Sequence, residues 1–518
     1  MDKNTFFAIF LSTAFLIVWF MFFQPKPAKT PEQTGTPAAV TAVQQELAKT
    51  PSLSREAGNE FPEQELTVET DKYKAVFTNR GAAVKHWFLK ERSGALVDLV
   101  HDADSLELGS FPGSTYEVQR PNPQTLIFTH TSLLGWKVTK TFELSDDYLH
   151  KLTIRTEKIK SGAALPVIDV AWGPGLGTDL KGQKDNEGQT RALGFAAERA
   201  AKLEKFKPGD YPARAYLWAA VDNRYFLAAL IPLKDSGFSN IAVSRASKKL
   251  PPSVSFSAAV PEKAESQVCS AMFYLGPKGH EHLKSLHLGL EETVDFGYFG
   301  FLGKIALDVL NYFHRATGNY GWAIIILTVI LQIIVLPLTV KSFKASAAMK
   351  QLQPLVKELQ EKFKADPKRL NVEMLNLYKV HKVNPLGGCL PMLLQLPIFW
   401  ALFTTLRNAF ELRGAHWIFW IKDLSAPDAL MSIAGVPLNV LPLIMGVGMF
   451  FQQKMMSVAT DPAQAKMMYM MPVLFTFMFW NFPSGLVIYW LTNSLLTMAE
   501  QYVIMRNQPQ LGATTIVK

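Results

Sequence analysis

Long apolar runs lie at the two ends of the chain, and short alternating runs fill the middle. The first long run, "FFAIFLSTAFLIVWFMFF" (6–23), is long enough to cross a hydrocarbon core of ~30 Å at about 1.5 Å per residue. A cleaved leader has a shorter apolar core and a small-residue cleavage site. This run instead ends in bulky aromatics and continues into "QPKPAKTPEQTGTP", which favours an uncleaved anchor over residues 1–23. Residues 24–60 are rich in Pro, Thr, Ala and Gln, lack periodicity, and read as a flexible linker. Residues 61–290 change character. "ELTVET", "YKAVFTN", "TLIFTHT", "WKVTKTFEL", "YLHKLTIRTE" and "SVSFSAAV" are short, often alternating, and bounded by Gly, Pro, Asn or Asp. They predict strands of a large β sandwich.

The period then switches to that of a helix. In 299–315, Leu302, Ile305, Ala306, Val309, Leu310 and Phe313 fall on one face, and Lys304, Asp308 and Asn311 on the other. The run is too polar to span a bilayer. It reads as an amphipathic helix on the membrane surface, or alternatively as one packed on the sandwich. Five apolar runs follow, at 321–340, 386–406, 436–453, 467–482 and 484–503, the last two separated by a tight turn at Pro483, Ser484 and Gly485. With the anchor they make six spans, followed by a short tail, 504–518. The basic stretch 341–385 carries a second helical pattern. Met349, Leu352, Val356, Leu359 and Phe363 form one stripe, and Leu370, Met374, Leu377 and Tyr378 another. That predicts a helical hairpin with an apolar seam and a basic exterior, which Pro354 kinks or starts.

Charge orients this arrangement. The formal net charge is +9 and 48% of residues are hydrophobic, which suits either a membrane protein with basic cytoplasmic loops or a nucleic-acid binder. Its placement favours the first. The 341–385 loop holds ten Lys and Arg, among them Lys341, Lys344, Lys350 and Lys357, against four acidic residues, so it belongs in the cytoplasm. Counting spans from it puts both termini in the cytoplasm and the β domain in the periplasm of a two-membrane bacterium. The hairpin is then either a solvated charged element or a contact site for anionic lipid headgroups, ribosomes and nascent chains. No nucleic-acid-binding fold is evident, so no specific nucleic-acid sequence is expected to be read.

Two cysteines without CxxC, Cys/His or HExxH spacing support neither a metal site nor a disulfide framework. No catalytic constellation is visible in the β region, and no cofactor is implied. The informative polar residues lie within the apolar runs. Thr328, Gln332 and Thr339 step along one helical stripe, Gln395 and Thr404 lie in the next run, and Tyr489, Thr492, Asn493, Ser494 and Thr497 in the last. They serve either as interhelical hydrogen bonds or as the lining of a hydrated groove. No Asp, Glu or Arg stands at the centre of a run, and the runs show no inverted repeat. Both observations count against a proton-coupled transporter. An envelope sugar-binding protein that uses its spans as anchors is a third alternative.

"NPLGGCLPMLLQLPIFWALF" (384–403) resembles the signature span of the YidC/Oxa1/Alb3 family of membrane protein insertases. "YGWAIIILTVILQIIVLPLTVKS" (320–342), "LQP" (352–354) and "FPSGLVIYWLTNSLLTMAEQ" (482–501) match other parts of that pattern, and the chain order is similar to the Gram-negative form. The resemblance implies a polytopic α-helical membrane protein: six spans, five of them an insertase core, with an all-β periplasmic supersandwich. It implies an insertase and chaperone, not an enzyme, that acts on nascent membrane proteins alone or beside the Sec translocon. Its groove would be open to cytoplasm and lipid. By position, Thr328 and Trp490, with Tyr489 beside it, would contact substrate there, along with Gln332, Gln395 and Asn493. The family pattern usually has Arg where this chain has Gln332. An amide keeps hydrogen bonding but not charge. Electrostatic capture of acidic tails then either shifts to Lys341, Lys344 and the basic hairpin or is weaker.

Overall fold

The computed structural model describes residues 61–506, apart from positions within 102–112, 179–189, 197–202, 208–214, 245–250, 261–263, 384–389 and 457–461 and a few single residues. The expected anchor (1–23), linker (24–60) and most of the tail (504–518) lie outside the described residues.

Alternation builds the first half. β1 (Glu65–Glu69), β2 (Tyr73–Thr78), β3 (Ala83–Lys90) and β4 (Leu96–Asp98) form an antiparallel meander. Next come β5 (Glu117–Asn122), β6 (Thr125–Thr131), β7 (Trp136–Glu143), β8 (Leu149–Lys158), β9 (Val167–Trp172), β10 (Arg191–Ala196) and β11 (Leu203–Phe206). β12 (Tyr216–Asp222), β13 (Phe226–Pro232), β14 (Asn240–Ser244), β15 (Ser253–Ala259) and β16 (Ser266–Pro277) complete the region. The main sheet has nine strands in the order β11-β10-β12-β13-β16-β8-β7-β6-β5, and a three-stranded sheet runs β14-β15-β9. Residues from all three sheets share one core that includes Trp87, Phe128, Trp136, Phe142, Ile154, Val170 and Phe273. Each stretch quoted above as a strand is one. β7 buries every second residue, as a half-covered strand must.

The central strands are different. β12 and β13 are buried on both faces. Ala219, Val221, Ala228 and Leu230 face the sandwich core. Their neighbours Trp218, Ala220, Leu227, Ala229 and Ile231 face a second core shared with the helices. Full burial removes the polar half of the alternation, so these strands read as apolar runs in the sequence.

The helices begin with α1 (His280–Ser285) and α2 (Gly300–Thr317). α2 buries Ala306, Leu307 and Leu310 in the second core and leaves Phe301 and Tyr312 exposed. Asn311, expected on the polar face, is buried instead, because its Oδ1 accepts a hydrogen bond of 3.1 Å from the Tyr320 hydroxyl. α3 (Tyr320–Lys362) is one continuous helix of 43 residues, roughly 65 Å long at 1.5 Å per residue. It joins the first apolar run to the first half of the basic hairpin, so Pro354 lies inside it and starts nothing. Asn319 caps its N-terminus by accepting from the Gly321 amide at 2.9 Å. α4 (Pro367–Val380) forms the second half of the hairpin, capped by Asp366. Leu352 and Val356 are buried in the expected seam.

α5 (Leu390–Asn408), α6 (Val440–Met456), α7 (Pro462–Phe479) and α8 (Ser484–Arg506) complete the bundle. Residues 436–439, expected to open a span, are instead the strand β18 (Val436–Asn439), paired with β17 (Ala429–Ile433). Asp428 accepts from the Leu441 amide at 2.7 Å where α6 begins. Among the described residues, α3 is the one helix long and apolar enough to cross a membrane by length and composition.

Candidate functional site

The bundle is inside out compared with a water-soluble protein. Gln332 is 8% exposed, whereas its neighbours Ile333 and Ile334 are 62% and 66% exposed. Val447, Phe451, Val473, Leu474 and Phe477 on α6 and α7 also point outward. Apolar groups outside and an amide inside are what a hydrocarbon surround demands, because a polar group in lipid needs an internal partner. Thr328 and Thr339 are buried as well, so the whole polar stripe of α3 faces inward.

The partners come from α8. Gln332 Nε2 donates to Thr497 Oγ1 at 3.3 Å and to Glu500 Oε2 at 3.1 Å. Thr339 Oγ1 lies 3.3 Å from the same Glu500 oxygen and 2.9 Å from the Leu336 carbonyl, and its single proton serves one of them at a time. Gln332, Thr339, Thr497 and Glu500 thus form a polar seam between α3 and α8. Glu500 was not among the residues picked out along the sequence, where the last polar stripe ended at Thr497. The signal was present: Glu500 is three residues further on, hence on the same helical face.

The other predicted residues divide into groups. The Thr328 hydroxyl donates to the Ile324 carbonyl at 2.7 Å, so its proton is used within its own helix. The side chains of Gln395 on α5 and Tyr489 on α8 approach one another. Trp490 lies in an aromatic cluster with Phe399 at 5.0 Å, Phe479 at 5.3 Å and Phe475 at 5.9 Å, which ties together α5, α7 and α8. Asn493 is half-buried, with no hydrogen-bond partner among the described residues. Lys341, Lys344 and Lys357 are exposed, and the Lys350 ammonium lies 3.5 Å from the Met455 carbonyl near the end of α6. Lys341 follows Gln332 by nine residues, about half a turn round the helix at 3.6 residues per turn, so it faces away from the seam.

A second polar zone joins sandwich to bundle just after α5. The buried Arg413 guanidinium pairs with Glu91 and stacks on Tyr225 and Phe226, 5.0 and 5.2 Å from the ring centres. The Tyr225 hydroxyl donates to the Arg407 carbonyl at 3.2 Å. Glu411 Oε1 accepts from the His280 amide at 2.9 Å, and burial pushes the Glu411 carboxyl up from its ordinary value. Behind this zone, Asp222 is fully buried between Arg191 and Lys278, whose Nζ is 2.7 Å away. Burial pulls the Lys278 ammonium down from its ordinary value, and Asp222 opposes that shift. An open depression of about 470 Å³ on the sandwich is lined by Thr70, Asp71, Lys72, Asp146 and Asp147. Lys72 is paired with Asp147 there at 2.9 Å.

A large all-β sandwich joined to a helical bundle with outward apolar and inward polar residues defines an envelope membrane protein with one folded domain beside the bilayer. Residues 110–307 match the family described as the YidC periplasmic domain, and residues 312–511 match the 60Kd inner membrane protein family. The membrane protein insertase YidC of Endomicrobium trichonymphae is 51% identical over 514 residues, 98% of each chain. That of Pelobacter propionicus is 37% identical over 544 residues, covering 97% of this chain and 99% of its own. A crystal structure of an active YidC insertase overlaps with a TM-score of 0.40 at 19% identity, covering 89% of this chain and 98% of its own. The chain belongs to the YidC family of inner-membrane protein insertases.

Proposed function

We propose that this chain inserts nascent membrane proteins by receiving a short polar tail at the α3–α8 seam while the adjoining apolar segment moves into lipid. The observation that carries this reading is the burial of Gln332 against Thr497 and Glu500 beside outward-facing Ile333 and Ile334. A hydrophilic seam within hydrocarbon shortens the distance over which a tail lies without hydrogen-bond partners. Burial of the apolar segment in lipid drives the step, at about 25 cal/mol for each Å² removed from water, and no nucleotide or cofactor is needed.

Gln395, Tyr489, Trp490 and Asn493 extend the contact surface from the seam, with Thr328 above it. α3, α5, α6, α7 and α8 serve as five spans and residues 1–23 as a sixth. The sandwich then lies in the periplasm and both termini in the cytoplasm, with the basic hairpin on the cytoplasmic side. Lys341, Lys344, Lys350 and Lys357 meet anionic lipid headgroups and ribosome–nascent chain complexes there. The Sec translocon is the partner for substrates with several spans.

The test is crosslinking of a stalled single-span nascent chain to photoreactive residues placed at 332, 490 and 497 in the native host. Crosslinks at these positions, and none from the exposed positions 333 and 334 to the polar tail, are the expected result. Tail crosslinks at 333 and 334 alone would sink the groove reading.

A further inference from the structure

Every donor on the Gln332 amide is already used. One N–H goes to Thr497 and the other to Glu500, and the shared Thr339 hydroxyl also reaches the carboxylate. Among the described residues, the Gln332 carbonyl and Glu500 Oε1 have no partner, and both are acceptors. No Lys, Arg or His among the described residues pairs with Glu500. Lys341 lies on the far face of α3, and Arg506 is exposed near the end of α8. One residue beyond Glu500, the Gln501 amide is 2% exposed, and neither its nitrogen nor its oxygen has a partner among the described residues. Tyr502 and Val503, which follow, are exposed in the manner of lipid-facing residues. At the Gln332 carbonyl and Glu500 Oε1 the seam thus has two open acceptors, and its carboxylate has no cation among the described residues. Its chemistry fits a visitor that brings donors and positive charge.

We propose that Glu500 makes this seam a receptor for cationic tails, favouring substrates whose translocated end carries Lys, Arg or a free α-ammonium group over those with acidic ends. The inference rests on the insertase reading and specifies its substrate class. An ammonium or guanidinium group donates to Glu500 Oε1 and the Gln332 carbonyl together. At these two atoms an acidic tail meets acceptors and a like charge.

The experiment uses the full chain in proteoliposomes of neutral lipid without a membrane potential. A single-span probe carries two Lys, two Ser or two Asp in its translocated tail, and insertion is read by protease protection. Each initial rate is divided by that of the Ser tail with the same variant, so a general loss of folding cancels. Wild type is expected to prefer the Lys tail over the Asp tail by roughly tenfold, equivalent to about 1.4 kcal/mol. Glu500→Gln should collapse that ratio toward one. Gln332→Arg should also erase the Lys preference without creating an Asp preference, because the new guanidinium pairs with Glu500. The double variant Gln332→Arg, Glu500→Gln should reverse the order. Equal Lys and Asp rates in wild type, or a ratio unchanged in Glu500→Gln, would overturn the proposal while leaving the insertase reading intact. If no tail inserts above protein-free liposomes, the insertase reading itself fails. If Glu500→Gln inserts nothing, the two Gln332→Arg variants decide: an acidic preference in Gln332→Arg alone would overturn the role of Glu500.

Discussion

Two regions of this protein bury charge, and they do so in opposite ways. Where the sandwich meets the bundle, the charges of Arg413 and Asp222 have counter-charges, while the buried Glu411 carboxyl accepts from the His280 amide. Arg413 pairs with Glu91, and Asp222 lies between Arg191 and Lys278, with Asp295 3.2 Å from Arg191 as a second carboxylate. In the α3–α8 seam, the half-buried Glu500 meets an amide and one hydroxyl but, among the described residues, no cation. Buried pairs cost desolvation that their own attraction offsets, so they hold two elements in one geometry. A buried charge with only neutral donors leaves part of that cost standing. The first region ties sandwich to bundle, and the second is the site for which a cationic visitor is proposed above.

Substitutions can break this comparison, beginning with the interface. Arg413→Ala leaves Glu91 buried without its cation and removes the stack on Tyr225 and Phe226. The expected loss is about 3–5 kcal/mol, measured as a fall in unfolding temperature in detergent. A variant as stable as wild type would show that the ion pair does not secure the domain. Next in size is a pH effect within the sandwich. The His150 ring packs against Tyr73, Trp87 and Phe273, and its Nδ1 accepts from the Ser145 amide at 3.1 Å, so it is neutral with its proton on Nε2. Burial pushes its pKa down to about 3 from the ordinary 6.5. The folded state then binds fewer protons than the unfolded chain between those values. Stability should fall as pH drops below 6.5 and level off below about 3. His150→Phe should flatten that slope in a series of melts from pH 7 to pH 4.

Smaller effects sharpen the contrast. Tyr225→Phe removes one hydrogen bond to the Arg407 carbonyl and should cost about 0.5–1.5 kcal/mol, leaving insertion unaltered. The smallest change belongs to the seam. Glu500→Gln keeps an acceptor for the Gln332 amide and removes the uncompensated charge, so stability should shift by less than about 1 kcal/mol, in either direction. Asp222→Asn, the same change at the interface, strands Lys278 and should cost several times more. Equal losses at Asp222 and Glu500 would mean that both are structural.

The chain order made the broad division readable. Strands with one wet face, such as β6, β7 and β8, announce themselves by alternation. β10, β12 and β13 do not, because the helices cover their second face and leave "RALGFA", "YLWAAVD" and "FLAALIP" without a polar partner set. Asn311 seemed to be a surface residue until Tyr320 reached it from the next helix. β18 lay hidden in an apolar run that resembles the start of a span, with β17 in the stretch just before it.

The amino-acid sequence alone determined the strands with one wet face and most of the helices, because periods of two and 3.6 are local properties of the backbone. It also determined that Gln332 lies on a polar stripe. What it could not determine was the partner of that stripe. Glu500 is 168 positions away and meets Gln332 only because α3 and α8 pack side by side. Charge pairing of this kind depends on which helix faces meet. The local pattern therefore supplied a polar face, and the tertiary structure gave that face its carboxyl partner.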